Sequence, residues 1–138
     1  MFIDASAIVA ILNREPGYEE IVKRIEDKNS GRFVSPLVRF EAVAAIARSR
    51  SGATRPTPEQ FELAEQVVTA FCDSLKARDI DITHTIGQRA LRAARTYGKF
   101  VGHEADLNFG DCFAYACASS YNARLVYKGD DFAKTDLA

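Results

Sequence analysis

Several acidic residues occupy positions where a carboxylate could take part in chemistry. Asp4 directly follows an apolar run at the start of the chain, and Asp111 directly precedes a run of uncharged, mostly apolar residues. Asp130 and Asp131 follow the last apolar stretch, and Glu41 lies in a mid-chain segment of helical periodicity. The carboxyl ends of parallel strands meet at one edge of a sheet, where open α/β folds bind ligands. These acids are therefore candidates for one shared site.

Most of these acids also have an ordinary structural explanation. Asp4 and Asp111 could each cap the helix that follows, since aspartate is a favoured N-cap residue. Asp130 or Asp131 could be turn residues after Gly129, where aspartate is common. For these four residues, the sequence leaves the structural and the chemical interpretations open.

Glu41 is harder to explain by structure alone. We expect it to point from the apolar face of its helix, which is formed by Leu37, Phe40, Ala44 and Ala47. A carboxylate there is costly to desolvate unless it pairs with a cation or a metal. It could instead reach the surface or meet an arginine such as Arg39 or Arg89.

The apolar pattern predicts short strands that alternate with helices. Strands are predicted at 2–3, 32–34, 79–82 and 124–127, and helices at 5–12, 18–27, 36–50, 58–76, 85–97 and from 110 onward. Helix starts are indicated by Ser35-Pro36, by a capping box from Thr57 to Gln60 and by a cap at Thr85, and Asn29-Ser30-Gly31 predicts a break. The alternation indicates an α/β fold, with a parallel sheet flanked by helices on both faces.

Composition limits the remaining possibilities. The 138 residues fit a single domain spanning 1–138, and 47% apolar with 27% charged residues is ordinary globular usage. With 18 basic and 19 acidic side chains the net charge is −1, which argues against general coating by nucleic acid but not against a local basic surface.

The cysteines and the apolar runs indicate where the protein resides. Cys72, Cys112 and Cys117 lack the spacing of a disulfide framework or a zinc site, so we expect buried free thiols. The N-terminus lacks a basic region before an apolar run, and no segment approaches about 18 uninterrupted apolar residues. We expect a soluble, cytoplasmic protein with no membrane partner.

A cluster of carboxylates has a definite chemical consequence. Four carboxylates cannot all stay ionised in a small cleft without a cation. Oxygen-only ligands suit Mg²⁺ or Mn²⁺, which keep waters and bind substrate phosphates. Such a metal polarises a phosphoryl oxygen and makes a nucleophile of water at neutral pH. The pattern therefore predicts a metal site that activates water for attack on a phosphoryl group.

The chain resembles a PIN-domain ribonuclease of the VapC type, the toxin half of a bacterial type II toxin–antitoxin pair. Four segments carry this resemblance: 1–12 (MFIDASAIVAIL), 35–42 (SPLVRFEA), 107–118 (LNFGDCFAYACA) and 125–136 (LVYKGDDFAKTD). Their order and spacing agree over essentially the whole chain. Residues 52–82 add no family signal.

The resemblance implies a PIN-like three-layer fold, with a central parallel sheet of four to five short strands between layers of helices. It assigns the catalytic, metal-binding acids to Asp4, Glu41, Asp111 and Asp131. The fourth acid of such domains precedes a Phe, which selects Asp131, although its neighbour Asp130 could substitute. Ser6 matches a small hydroxyl residue near the metal and could hold a water or a carboxylate.

The resemblance also implies a substrate and partners. Members cleave structured RNA such as tRNA or rRNA, are held inactive by a VapB-like antitoxin, and commonly form homodimers or toxin–antitoxin hetero-oligomers. We expect substrate phosphates to meet basic residues, with candidates Arg39, Arg89, Arg92 and Lys128.

Other functions make different demands on the sequence. Metal-free ribonucleases use histidine acid–base catalysis, and His84 and His103 have no obvious partner for it. A haloacid-dehalogenase-type phosphohydrolase needs a second Asp two residues after the first, where this chain has Ser6. A degenerate, non-catalytic PIN-like module would lack one of the acids, and all of them are present.

Overall fold

The computed structural model describes residues 1–27 and 30–137. Asn29, part of the predicted break, lies outside the described residues. In chain order the elements are β1 (Phe2–Ile3), α1 (Ala5–Leu12), α2 (Tyr18–Ile25), β2 (Phe33–Val34), α3 (Pro36–Ser51), α4 (Pro58–Ser74), β3 (Arg78–Asp79), α5 (His84–Tyr97), a short 3-10 helix (Lys99–Val101), α6 (Phe109–Ser120) and β4 (Leu125–Val126).

The four strands form one parallel sheet in the order β3-β2-β1-β4. Phe2 of the central strand β1 lies opposite Phe33 of β2 and Leu125 of β4. Every crossover between these strands contains at least one helix, and the parallel α/β fold predicted from the alternation is confirmed. The carboxyl ends of β1, β2 and β4 therefore share one edge of the sheet.

Most helix starts follow their local sequence signals. The Ser35 hydroxyl accepts a hydrogen bond from the amide of Val38 (3.2 Å), and Thr57 and Gln60 form the predicted capping box. The predicted cap of α5 is wrong by two residues, because the Thr83 hydroxyl accepts from the amide of Ile86 and α5 begins at His84. The predicted strand at 79–82 is also displaced, since only Arg78–Asp79 pairs with β2.

The buried face of α3 differs from the prediction. Its buried residues are Val38, Ala42, Val43, Ile46 and Ala47, whereas Phe40 is 65% exposed. In α5 the spacing predicts an apolar stripe of Ile86, Ala90, Leu91 and Ala94. Ile86 and Ala90 are buried, but Leu91 is 69% exposed and Ala93 is buried instead. Residues at three- and four-residue spacing form two adjacent stripes on a helix, and the neighbouring helices decide which stripe is buried. Glu41 therefore lies at the border of the core and not on its buried face.

Helix α6 packs against the sheet and is largely buried, as its lack of charge predicts. The three cysteines are free thiols and all are buried, as expected. Among the residues that the structure describes, no helix is long and apolar enough to cross a membrane.

Candidate active site

The carboxyl edge of the sheet carries a pocket of about 490 Å³. Four of its five acids come from separate segments: Asp4 after β1, Glu41 on α3, Asp111 in the first turn of α6 and Asp131 in the loop after β4. Ser6, Glu15, Asn108 and Lys128 complete its polar lining. The tertiary structure therefore brings together acids that are far apart in the sequence.

Asp4 caps helix α1 and also lines this pocket. Its carboxylate accepts hydrogen bonds from the amide of Ser6 (2.9 Å) and from the Ser6 hydroxyl, and only 5% of the residue is exposed. Burial raises the pKa of Asp4; the hydrogen bonds from Ser6 oppose this shift, and the charge of Asp131 adds to it. The Ser6 hydroxyl also accepts from the amide of Lys128 (3.0 Å), which ties the β1 end to the loop after β4.

Asp111 has a related double role, but it is not the N-cap of its helix. Asn108 is the N-cap and accepts from the amide of Asp111 (3.1 Å), while the Asp111 carboxylate accepts from the amide of Asn108 (2.8 Å). One carboxylate thus closes a reciprocal capping box while it borders the pocket. Burial raises the pKa of Asp111 to about 6, against the effect of its backbone hydrogen bond, and the charges of Asp4 and Asp131 add to the rise.

Glu41 is half-buried and has no cation beside it among the residues the structure covers. The arginines that could have paired with it are engaged elsewhere. Arg39 forms a two-pronged ion pair with Asp79 (2.7 and 3.0 Å), and Arg89 lies 3.5 Å from the Ser119 hydroxyl. Burial, and then the charges of Asp4 and Asp111, raise the pKa of Glu41 to about 7. No ion pair with another described residue compensates its charge.

The structure separates the two neighbouring acids after β4. Both residues are exposed, but only Asp131 lines the pocket. The neighbour Phe132 is buried and packs edge-on against Tyr127, with ring centroids 5.0 Å apart. Phe132 thereby attaches the loop to the core one residue after Asp131.

The predicted basic residues are not all near the acids. Lys128 lines the pocket, and its ammonium group pairs with Glu15 at 2.9 Å. Arg39, Arg89 and Arg92 are not among the lining residues. The sequence reasoning missed Glu15 and Asn108 as lining residues, although the Asn-x-x-Asp capping pattern could have identified Asn108.

The donor set suits a hard cation. All four acids offer oxygen atoms, and neither His84 nor His103 lines the pocket. In the described part of the chain, no three His, Cys, Asp or Glu side chains form a ready-made metal cluster. The pKa values of Glu41 and Asp111 are raised first by burial and then by the charges of neighbouring acids, so ionising both groups without a cation is unfavourable. Oxygen donors with unneutralised charge fit Mg²⁺ or Mn²⁺.

The raised pKa values predict how stability changes with pH in the absence of metal. An acid whose pKa is raised on folding binds more protons in the native than in the unfolded state at intermediate pH. For Glu41 this window runs from its usual 4.5 to about 7. We expect the free energy of unfolding to fall as pH rises through that window in a chelator, as measured by urea denaturation. The Glu41→Gln variant should show a flatter profile, and an equally steep one would contradict the assignment.

Comparisons with known proteins agree with this geometry. The family model of the PIN domain matches residues 1–137. A VapC ribonuclease of Rhizobium meliloti (strain 1021) is 50% identical over 139 residues, which cover 99% of this chain and 98% of the relative. Ribonuclease VapC30 of Mycobacterium tuberculosis is 37% identical, covering 100% of the chain and 96% of the relative.

A solved structure shares the fold. The crystal structure of Mycobacterium tuberculosis VapC20, described as a sarcin–ricin loop cleaving toxin, superposes with a TM-score of 0.68 at 19% identity. The match covers 96% of this chain and 92% of that one.

Proposed function

The chain belongs to the PIN-domain family and, within it, to the VapC ribonucleases, and from this premise we propose that its acidic pocket performs metal-dependent hydrolysis of RNA. The protein is a ribonuclease of the toxin class. We propose structured RNA, tRNA or rRNA, as its substrate. The observation that carries the proposal is the convergence of Asp4, Glu41, Asp111 and Asp131 on one pocket. The lysine that lines this pocket, Lys128, is paired with Glu15 and with none of these four acids.

Each acid has a proposed task. Asp4, Asp111 and Asp131 would hold one or two Mg²⁺ or Mn²⁺ ions, with Glu41 as a further ligand or as the residue that positions the attacking water. A bound divalent ion neutralises the pocket, polarises a phosphoryl oxygen and lowers the pKa of water. As the residue that positions the attacking water, Glu41 would accept the water proton through its carboxylate. Water adds to phosphorus and the P–O3′ bond breaks, which leaves a 5′-phosphate and a 3′-hydroxyl.

The basic residues would act on the RNA backbone at different places. Lys128 borders the pocket, so its ammonium group is positioned to meet a phosphate there once it releases Glu15. Arg89 and Arg92 lie together on α5 beside another hollow and would contact phosphates farther along the RNA. Arg39 has the weakest support, because Asp79 already pairs with its guanidinium.

We propose that a VapB-like antitoxin neutralises the protein, and that it forms a homodimer or a toxin–antitoxin hetero-oligomer in the cytoplasm, where its RNA substrate resides. Large apolar side chains at the surface support a protein partner, namely Phe40, Leu91, Phe100, Val101 and Phe109. A small DNA-binding antitoxin encoded by the neighbouring upstream reading frame is the expected genetic context.

The chemistry of the cut ends tests the proposed function. We expect cleavage of total RNA to require Mg²⁺ or Mn²⁺, to stop with EDTA, and to leave 3′-hydroxyl and 5′-phosphate ends in end-specific sequencing. A His84→Ala/His103→Ala double variant should retain activity, because neither side chain lines the pocket. Activity that survives EDTA and leaves cyclic phosphates would instead assign the reaction to histidine catalysis. A total absence of cleavage with any RNA would favour the degenerate binding module.

A further inference from the structure

We propose that Gly110 is a positioning residue of the active site, because its lack of a side chain creates the space that the Glu41 carboxylate occupies. The proposal rests on the function proposed for the acidic pocket, and it concerns how one helix sets the place of a carboxylate carried by another. Gly110 belongs to α6, and Glu41 belongs to α3.

The position of Gly110 leaves no room for a side chain. A Cβ atom built on Gly110 would overlap Glu41 Oε1, and would lie 2.6 Å from Cδ and 2.7 Å from Oε2. Each of these separations is too short for a real contact. Any residue larger than glycine at this position therefore requires the Glu41 carboxylate to move.

Backbone conformation does not explain the glycine. Gly110 is a buried residue of the first turn of α6 and, unlike Gly17, Gly52, Gly102 and Gly129, it does not have a positive φ angle. A glycine within a helix is less favourable than alanine. The contact with Glu41 is the feature of the structure that explains why this helical position has glycine.

The contact fixes how close Glu41 comes to the other acids. Helices α3 and α6 pack against each other, and the next residue after Gly110 is Asp111. A carboxylate that rests against the backbone at Gly110 is therefore held beside the Asp111 carboxylate. The effect of the Asp111 charge on Glu41 is consistent with this proximity. No hydrogen bond or ion pair to another described residue holds the Glu41 carboxylate, so the shape of α6 defines its position.

This arrangement predicts that the site can be disturbed without disturbing the fold. The atoms that a Gly110 side chain would meet are at the far end of a flexible side chain, so Glu41 can rotate away. A Gly110→Ala variant should then fold normally but hold Glu41 outside its place in the pocket. Gly87 on α5 offers a matched control, because a Cβ atom there would meet nothing within 4 Å.

The experiment compares Gly110→Ala with Gly87→Ala. Without metal, both variants should have a melting temperature equal to or above that of the wild type, because alanine favours helix. With Mg²⁺, isothermal titration calorimetry should show an apparent affinity about 10–100-fold weaker for Gly110→Ala, the scale expected when a residue supporting a metal site is changed. RNA cleavage should fall with it, while Gly87→Ala should match the wild type. Wild-type Mg²⁺ affinity in Gly110→Ala would overturn the inference.

A double-mutant comparison separates this inference from the proposed function. In a Glu41→Ala background the collision is absent, so Gly110→Ala should cause no further loss of Mg²⁺ affinity. A further loss of full size would overturn the positioning role. If Gly110→Ala alone does not fold, recovery of folding in the double variant supports the steric contact, and failure of both overturns it. If Glu41→Ala itself leaves Mg²⁺ affinity and cleavage unchanged, the role of Glu41 in the proposed function is wrong.

Discussion

Replacing Glu41 with glutamine is expected to lower Mg²⁺-dependent RNA cleavage by about 10²–10⁴-fold, the range for loss of a general base. Glutamine keeps the size of the side chain but can neither accept the water proton nor neutralise a cation. The same variant should be more stable than the wild type at pH 8 without metal. At that pH the wild type carries an ionised, half-buried carboxylate whose pKa is raised to about 7.

Two measurements test the expected loss of activity and gain of stability in Glu41→Gln. Single-turnover cleavage of an RNA substrate gives the activity, and thermal unfolding in EDTA gives the stability. Asp130→Asn is the matched control, because Asp130 is acidic and near the site but does not line the pocket. Full activity in Glu41→Gln would remove Glu41 from the reaction. An unchanged melting temperature would show that its charge is compensated in the native protein.

Substitutions at Asp4 should separate its two roles. Both Asp4→Asn and Asp4→Ala should reduce cleavage by at least about 10²-fold, because loss of a metal-binding carboxylate removes several kcal/mol of charge stabilisation. Stability should differ between them. The asparagine side chain can still accept from the amide of Ser6 and cap α1, whereas alanine cannot.

The expected difference between the two Asp4 variants is about 0.5–2 kcal/mol in the free energy of unfolding, with asparagine the more stable. Urea denaturation in EDTA measures it, since neither variant carries the buried charge and the two differ in whether the side chain can accept hydrogen bonds from Ser6. Equal stability would show that the cap contributes nothing. Wild-type cleavage by Asp4→Asn would leave Asp4 as a helix cap alone.

Local signals in the sequence determined much of this architecture. The alternation of short apolar runs with helical periodicity predicted the parallel sheet, and Ser35 and Thr57 marked the starts of α3 and α4 correctly. The uncharged run after Asp111 predicted a buried helix. These features depend on residues a few positions apart, so short stretches of the sequence are enough to predict them.

The sequence also predicted the acids of the site, but not the geometry among them. The residues alone left Asp130 and Asp131 open, and in the structure only Asp131 of the two lines the pocket. The sequence placed Glu41 on the buried face of α3, whereas Glu41 lies at the border of that face, because the packing of neighbouring helices selects which apolar stripe is buried.

Tertiary structure alone decided how the site is held together. Nothing within α3 indicates that Glu41 meets the backbone of α6, and nothing within α6 indicates that Gly110 leaves room for a carboxylate. Such contacts join residues that are far apart in the chain, and their distances follow from how whole helices pack on the sheet. The sequence by itself determined which residue types could perform the chemistry. Packing decided which of them reach the pocket and what holds them there.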